Sequence, residues 1–254
     1  MSKNYLTSFN TLAEYQAATN LDLPNVSLIK ADGSIKYKNV FAGAVLGDIL
    51  MWDSTNQKLV KTVGAEWSTE IYPLSQYEPI AINVYPAGQT SDGKARFMAL
   101  KWASNTSDTG STSNVGLVWG NDGDNLTSKD KTLFNGRENT DKALALADGT
   151  TANTKAAFAA FAAVNRFRTN GTNAGDWYVP SYKELSLYQA NYADINAKIT
   201  AIKNASSSIV NTVNYNQWSS TESNTSSTAW RLSSYGSWDS ISRGTNAVRG
   251  MLSL

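Results

Sequence analysis

The chain has 254 residues, 41% of them hydrophobic and 17% charged, which is enough to bury a sizeable core in one or two domains. It contains no His and no Cys, so catalysis by Ser-His-Asp or Cys-His groups, His-liganded zinc, disulfides and iron–sulfur sites are all excluded. The formal net charge of +1 gives no general attraction to phosphate backbones or anionic lipids, so we expect no nucleic-acid partner.

The first third of the chain has the pattern of short strands with one leading helix. Residues 11–19 predict a short helix, and Pro24 then forces an extended restart. Apolar runs bounded by turn residues or prolines predict strands at residues 26–29, 34–38, 47–53, 58–63 and 79–86. A polar turn separates the third strand from the fourth, which is typical of a hairpin. We therefore predict a small β-rich N-terminal domain over residues 1–90.

The rest of the chain combines short strands with three predicted helices. Residues 153–168 are the clearest helix, because their aromatic and aliphatic residues form one stripe. The stripe consists of Phe158, Phe161, Val164 and Phe167. A second helix begins after Ser181, which forms a capping-box pattern with Glu184. A third helix, over residues 194–205, places three isoleucines on one face, namely Ile195, Ile199 and Ile202.

Acidic residues offer two candidate chemical sites, and a structural role is favoured for each. Asp122, Asp124 and Asp130 could supply oxygen ligands to Ca²⁺, but their spacing lacks the pattern of an EF-hand loop and favours a turn. Glu184 and Glu222 could form an acid–base pair for glycoside cleavage, but Glu184 is better explained as the helix cap. We therefore expect no catalytic residue, no metal ion and no cofactor.

The segment from Trp218 to the C-terminus places three tryptophans among residues that are nearly all Ser, Asn, Thr, Tyr, Gly, Asp or Arg. Such small polar residues and Tyr are enriched in recognition loops, because they combine adaptable hydrogen bonds with amphipathic contact area. A flexible linker would not carry three tryptophans. We expect Trp218 and Trp230 in the core rather than stacking on a ligand, and leave Trp238 open between the two roles. The segment is predicted to present a recognition surface on a rigid support.

Four motifs carry a resemblance to a known family. They are GDWYVPSYKEL (175–185), QWSSTE (217–222), AW (229–230) and NAVRGMLSL (246–254). In this order they resemble the C-type-lectin-like domain shared by formylglycine-generating-type proteins and the variable proteins of diversity-generating retroelements. The resemblance implies an α+β fold, with a C-type-lectin-like domain at residues 91–254 that has two or three helices and a small twisted antiparallel sheet. The preceding residues resemble the β-rich module of phage tail-fibre and receptor-binding proteins.

In that family an error-prone reverse transcriptase rewrites Asn codons at exposed positions near the C-terminus, and the products include Ser, Thr, Tyr, Asp, Gly, Ile and Arg. The resemblance therefore implies a variable ligand-binding surface built from this alphabet. Its members are Ser223, Asn224, Ser226, Ser227, Arg231, Ser233, Tyr235, Ser237, Asp239, Ser240, Ser242, Arg243 and Asn246. The resemblance also assigns a supporting frame, which consists of Trp218, Ser219, Ser220, Glu222, Trp230, Gly236, Trp238, Val248 and Arg249.

The resemblance implies a non-enzymatic binding protein, because the oxidase branch of the superfamily requires cysteines that this chain lacks. We expect a phage tail receptor-binding protein whose partner is a host-surface protein or glycan, located on the virion or at an extracellular surface. The chain shows no signal peptide and no apolar stretch of roughly 18 residues, so we expect no membrane insertion. A homo-oligomer, in particular a trimer, would raise the avidity of modest sites. The alternatives are a carboxylate-based glycan hydrolase and a purely structural particle subunit.

Overall fold

The computed structural model of the chain describes residues 27–29, 35–37, 41, 43–62, 67–121, 126–147, 156–206, 216–225, 227–233 and 236–254. This part is an α+β structure, in which helices pack against antiparallel sheets. Its strands are β1 (Ser27–Ile29), β2 (Ile35–Tyr37), β3 (Ile49–Asp53), β4 (Lys58–Lys61), β5 (Tyr77–Tyr85), β6 (Arg96–Ala99), β7 (Leu117–Val118), β8 (Gln217–Glu222), β9 (Thr228–Leu232), β10 (Trp238–Ser242), β11 (Thr245–Asn246) and β12 (Met251–Ser253). Its α-helices are α1 (Gly136–Leu146), α2 (Ala159–Arg166), α3 (Tyr182–Ala190) and α4 (Tyr192–Ala205). The helix predicted at residues 11–19 lies outside the described residues.

The largest sheet of the described part has five antiparallel strands in the order β12-β6-β5-β3-β4. Strands β3 and β4 form the hairpin that the sequence predicted. Both faces of the sheet are buried, since Leu50 and Phe97 belong to one apolar cluster whereas Met51 and Met98 belong to another. Strands that are covered on both faces have continuous apolar sequences instead of alternating ones. This accounts for the apolar runs that marked these strands.

The five-stranded sheet crosses the domain boundary predicted at residue 90. Strand β5 ends before that residue and pairs with β6, which in turn pairs with the C-terminal strand β12 through Met98 and Met251. The isoleucines of α4 belong to the same apolar cluster as Met51 in β3. Residues 43–85 therefore share a sheet and apolar clusters with the C-terminal part. The division into two domains at residue 90 stays a prediction.

The predicted helices agree with the structure in most respects. Helix α3 begins after Ser181, whose Oγ accepts from the Glu184 backbone N–H (3.3 Å) while the Glu184 carboxylate accepts from the Ser181 N–H (2.8 Å), so the capping box is confirmed. Helix α4 buries Ile195, Ile199 and Ile202 as expected. Helix α2 is shorter than predicted, and residues 153–155 lie outside the described part. No described helix, including the 14-residue α4, is long and apolar enough to cross a membrane.

Helix α1 was not predicted, because its buried side consists of small and polar residues. Asn139, Thr140 and Ala143 face inward, and the helix packs against β8. The Thr140 hydroxyl donates to the Gly136 carbonyl (2.8 Å) and accepts from the Val179 N–H (2.9 Å). Hydrophobic periodicity is the main sequence signal for a helix, and a face held by hydrogen bonds does not produce it.

A second sheet, with the strand order β10-β9-β8, contains two of the four family-like motifs. Strands β9 and β10 form an antiparallel hairpin, and β10 is the edge strand. Strand β8 is covered by α1 and α3. This arrangement places β9 and β10, which contain part of the predicted ligand-binding surface, at the edge of a sheet whose strand β8 is covered by helices.

Candidate ligand-binding face

Strand β8 is entirely buried although its sequence, QWSSTE, is mostly polar. The Ser219 hydroxyl donates to the Trp230 carbonyl (2.9 Å) of the neighbouring strand β9. The Ser220 carbonyl accepts from the Thr127 hydroxyl (2.7 Å), and the Thr221 hydroxyl accepts from the backbone N–H that begins α3 (2.9 Å). Buried polar groups require such partners, and a network in which they are satisfied favours one arrangement of the strand. Strand β8 thus forms a buried base beside the hairpin, in the same sheet.

Glu222 and Arg243 form an ion pair at the end of this base. The exposed fractions of their side chains are 0% and 1%. Glu222 also accepts from the Thr127 N–H (3.3 Å), and the Arg243 Nη1 donates to the Asn121 carbonyl (2.6 Å). The Arg243 guanidinium lies 4.8 Å from the centre of the Trp119 ring. The prediction that Arg243 belongs to the exposed ligand-binding surface is therefore wrong, because this cation neutralises a buried carboxylate.

Glu184 is held by a second buried cation. Its Oε1 accepts from the Arg96 Nε (2.9 Å) and from the Tyr178 hydroxyl (2.8 Å). Burial, together with the nearby Glu184 carboxylate, raises the pKa of Tyr178 well above its ordinary value, so this phenol stays protonated as a donor. Glu184 and Glu222 are thus each buried and paired with an arginine, and neither is presented to solvent as an acid or a base.

The predicted ligand-binding residues divide into four groups by their exposure. Those exposed to solvent are Asn224, Ser237, Ser240 and Ser242. Those half-buried are Ser227, Arg231 and Asp239. Those buried are Ser223, Ser233, Arg243 and Asn246. Ser226 and Tyr235 lie outside the described residues. The four buried residues correct the prediction, since the structure does not present them on a surface.

The buried serines form hydrogen bonds in the turns on either side of β9, and the buried asparagine accepts from a side chain of β9. The Ser233 and Ser237 hydroxyls lie 2.7 Å apart, and the Ser237 N–H donates to the Ser233 Oγ (3.2 Å), which closes the β9–β10 turn. The Ser223 hydroxyl hydrogen-bonds the hydroxyl of Thr228. The Asn246 Oδ1 accepts from the Arg231 Nη1 (2.9 Å). Short polar side chains suit turns as well as binding surfaces, so residue type alone could not separate the two roles.

The register of the hairpin defines an outer face. Trp230 lies opposite Ser240, and Thr228 lies opposite Ser242. Because side chains alternate along a strand, these four residues and Trp238 point to one side of the sheet. We call this set the outer face, defined by Thr228, Trp230, Trp238, Ser240 and Ser242. Arg231 and Asp239 point to the opposite side, where they form an ion pair (3.4 Å).

One end of the outer face carries a group of aromatic rings with a lysine. The Tyr182 ring, from the first residue of α3, stacks on Trp238 at a centroid distance of 3.7 Å and meets Trp230 edge-on at 5.5 Å. The Lys131 Nζ lies 4.6 Å from the Trp230 ring centre and 5.3 Å from that of Tyr182. All three rings are half-buried, while Lys131 is exposed. We call Lys131, Tyr182, Trp230 and Trp238 the aromatic corner.

The sequence predicted only some of the residues of the aromatic corner. Trp218 is fully buried, as expected, whereas Trp230 is half-buried instead of belonging to the core. Tyr182 and Lys131 were not predicted at all. Tyr182 could have been noticed as an aromatic residue directly after the capping Ser181, but no local pattern brings Lys131 to a strand that is far away in the sequence.

Acidic residues form no metal site in the described part, where no three His, Cys, Asp or Glu side chains come together. Asp122 and Asp124 lie outside the described residues. Asp130 is exposed, and its carboxylate accepts from the Thr132 N–H (2.8 Å) and hydroxyl (2.7 Å). These hydrogen bonds lower the pKa of Asp130 below its ordinary value. The turn predicted around Asp122 and Asp124 lies outside the described residues and stays a prediction.

Comparison with known proteins yields one structural similarity. No protein-family model matches the sequence, and no curated protein matches it. The chain is similar in structure to a fimbrial protein from Bacteroides ovatus ATCC 8483, with a TM-score of 0.51 and 12% sequence identity. The match covers 83% of this chain and 49% of that one, so the chain spans about half the length of the fimbrial protein. At this identity the similarity concerns the fold alone.

Proposed function

We propose that this chain is a non-enzymatic ligand-binding protein whose outer face recognises a host-surface protein or glycan. The observation that carries the proposal is the alternation on the edge strand β10, where Ser240 and Ser242 are exposed, in a sheet whose strand β8 has six buried residues. Exposed hydroxyls contribute little to a core, so their replacement changes the surface without removing packing. Support from a buried strand in the same sheet reduces the entropy cost of binding.

The proposal extends to the class of protein and its setting. We assign the chain to the C-type-lectin-like variable proteins on the four motifs, and place it on a phage tail or at an extracellular surface. The similarity to a protein named as fimbrial is compatible with a role at a surface. A homo-oligomer, which we expect to be a trimer, would multiply sites of modest affinity. Neither a metal ion nor a cofactor takes part in this function.

A comparison of two libraries tests whether the outer face tolerates diversity. The first randomises exposed positions, namely Asn224, Ser237, Ser240 and Ser242, and the control randomises buried positions of the same chemistry, namely Ser219, Ser220, Thr221 and Ser223. Both libraries are displayed on yeast, and the folded fraction is measured with a conformation-sensitive antibody. We expect most members of the first library and few of the second to fold. Equal loss of folding in the two libraries would contradict the proposal.

Adsorption to bacterial cells tests the binding role itself. Fluorescently labelled protein is incubated with a panel of bacteria, and a strain that retains it is then used for variants. Ser240→Glu together with Ser242→Glu should abolish retention without changing the melting temperature. Lys58→Gln, on the distant strand β4, is the matched control and should retain full binding. Unchanged adsorption of the double variant would remove the outer face as the recognition site.

A further inference from the structure

We infer that the aromatic corner, together with the hydroxyls beside it, binds a sugar ring that carries a carboxylate, as found in acidic glycans. This inference rests on the proposed function, because it assigns a ligand class to the same outer face. Three features carry it: an ammonium without a carboxylate partner among the described residues, half-exposed indole rings, and a row of hydroxyls. Each feature matches a different part of such a ligand.

The ammonium of Lys131 is presented as a receptor for an anion. It lies above two rings, at 4.6 Å from Trp230 and 5.3 Å from Tyr182, and forms no ion pair with a described residue. Attraction between a cation and the faces of aromatic rings orders a side chain that is otherwise flexible. An ordered and exposed ammonium binds a carboxylate at a lower entropy cost than a free lysine does.

The charges around the corner also favour an anionic ligand. Lys183, next to Tyr182 in α3, lies with its Nζ 5.8 Å from the Phe134 ring centre and adds a second positive charge. The neighbouring carboxylate, Asp130, is occupied by hydrogen bonds from Thr132. Those hydrogen bonds lower the pKa of Asp130 and so favour its ionised form, but the two lysines still carry one more charge than this carboxylate.

The remainder of the outer face suits a hydroxylated ring. Trp230 and Trp238 are half-buried, with Tyr182 stacked on one face of Trp238 and the Lys131 Nζ above one face of Trp230. Indole faces are electron-rich and attract the C–H groups on the apolar side of a sugar ring. Ser240 lies directly opposite Trp230, and its hydroxyl donates to that of Thr228 (3.1 Å), with Ser242 beside them. An acidic peptide would use the ammonium, but it would leave the indoles and this row of hydroxyls unmatched.

A pair of ligands that differ only in charge tests the inference. The probes are a trimer of galacturonic acid and its methyl ester, which has the same rings and no carboxylate charge. Titration of the full chain, followed by tryptophan fluorescence and calorimetry, should give an affinity for the acid that is higher than for the ester by about two- to fivefold. The difference should shrink at high salt, since the contact with the ammonium is exposed.

Variants distinguish the contribution of the Lys131 ammonium to binding from that of the rest of the outer face. Lys131→Gln should remove the difference in affinity between the acid and the ester, whereas Lys58→Gln should preserve it. Thermal melting of both variants checks that they are folded. Three results would each overturn the inference. The unaltered chain could bind the acid and the ester equally, it could bind neither of them, or Lys131→Gln could keep the same difference in affinity.

Two outcomes distinguish this inference from the proposed function. The unaltered chain could adsorb to cells through Ser240 and Ser242 and yet bind neither sugar. The assignment of an acidic sugar as the ligand would then be wrong, whereas the proposal that the outer face recognises a ligand would be supported. Tighter binding of a hexa-aspartate peptide than of the acid trimer would assign the corner to an acidic protein partner and would also overturn the inference.

Discussion

The Arg243 guanidinium donates to the Glu222 carboxylate across the end of β8, and both side chains are almost fully excluded from solvent. The sequence-based prediction gave the two residues different roles, since it placed Glu222 in the supporting frame and Arg243 in the ligand-binding surface. Their pairing connects the C-terminal end of β8 to the segment that follows β10. A pair of this kind is costly to break, because removal of one partner leaves an uncompensated charge in the interior.

Arg243→Met should lower the free energy of unfolding by about 3–5 kcal/mol, because Glu222 would remain buried and charged. Urea denaturation followed by tryptophan fluorescence measures the change. Replacement of both residues, as Glu222→Leu with Arg243→Met, should cost less than the single change, since no unpaired charge remains.

Arg168→Ala is the control for this prediction. Arg168 pairs with Asp108 at 3.4 Å, but the exposed fractions of the two side chains are 55% and 42%. Exposed ion pairs stabilise proteins by only about 0–1 kcal/mol. A loss in Arg243→Met no larger than that in Arg168→Ala would show that the buried pair does not have the role assigned to it.

Serines in the buried strand and in the edge strand of the second sheet should respond differently to the loss of a hydroxyl. Ser219→Ala should cost about 1–2 kcal/mol, because its hydroxyl donates to the partly buried Trp230 carbonyl (2.9 Å), which would lose its partner. Ser242→Ala, on the exposed edge strand, should change the free energy of unfolding by less than about 0.5 kcal/mol. Equal costs in urea denaturation would refute the division between base and outer face.

Tyr188 makes the stability of the fold sensitive to alkaline pH. Burial raises the pKa of Tyr188 far above its ordinary value, so the phenol keeps its proton in the folded state when it has lost it in the unfolded state. Its contribution is therefore complete below about pH 10 and is lost as the pH rises above that value, by about 1.4 kcal/mol per pH unit.

Tyr188→Phe isolates this effect. The variant loses the hydrogen bond to the Asn196 Oδ1 (3.1 Å), so it should be less stable by about 1 kcal/mol at pH 7. Between pH 10 and 11.5 its stability should fall less steeply than that of the unaltered chain. Denaturation curves measured at several pH values give both slopes, and parallel slopes would show that Tyr188 does not titrate on unfolding.

Gly136→Ala should destabilise the fold although alanine favours helices. A Cβ at this position, the first residue of α1, would overlap the Glu184 carboxylate and would lie 2.8 Å from both the Ser181 N and the Tyr178 ring. Such overpacking costs about 1–3 kcal/mol, against a gain of up to about 1 kcal/mol from helix propensity. Gly88→Ala is the matched control, since its Cβ would meet nothing within 4 Å. Equal melting temperatures for the two variants would contradict the prediction.

Local patterns in the sequence identified the elements whose cause is local. The capping box of Ser181 and Glu184 and the isoleucine face of α4 appear in the structure as expected, because hydrogen bonds and packing between near neighbours produce them. Helix α1 was missed, since its inner face is closed by Thr140 and Asn139, whose partners come from Val179 and Ser220. Those partners are distant in sequence, and no periodic sequence pattern predicts such contacts.

Residue type by itself determined that this chain has no His or Cys chemistry, that its core must be held by packing and hydrogen bonds, and that its C-terminal segment combines tryptophans with short polar side chains. Tertiary structure decided which of those polar side chains are exposed. Ser223 and Ser240 are the same residue, yet one is buried in a turn and the other lies on an edge strand. The exposure of a side chain depends on which other strands and helices cover it. Pairing between segments that are distant in the sequence determines that coverage.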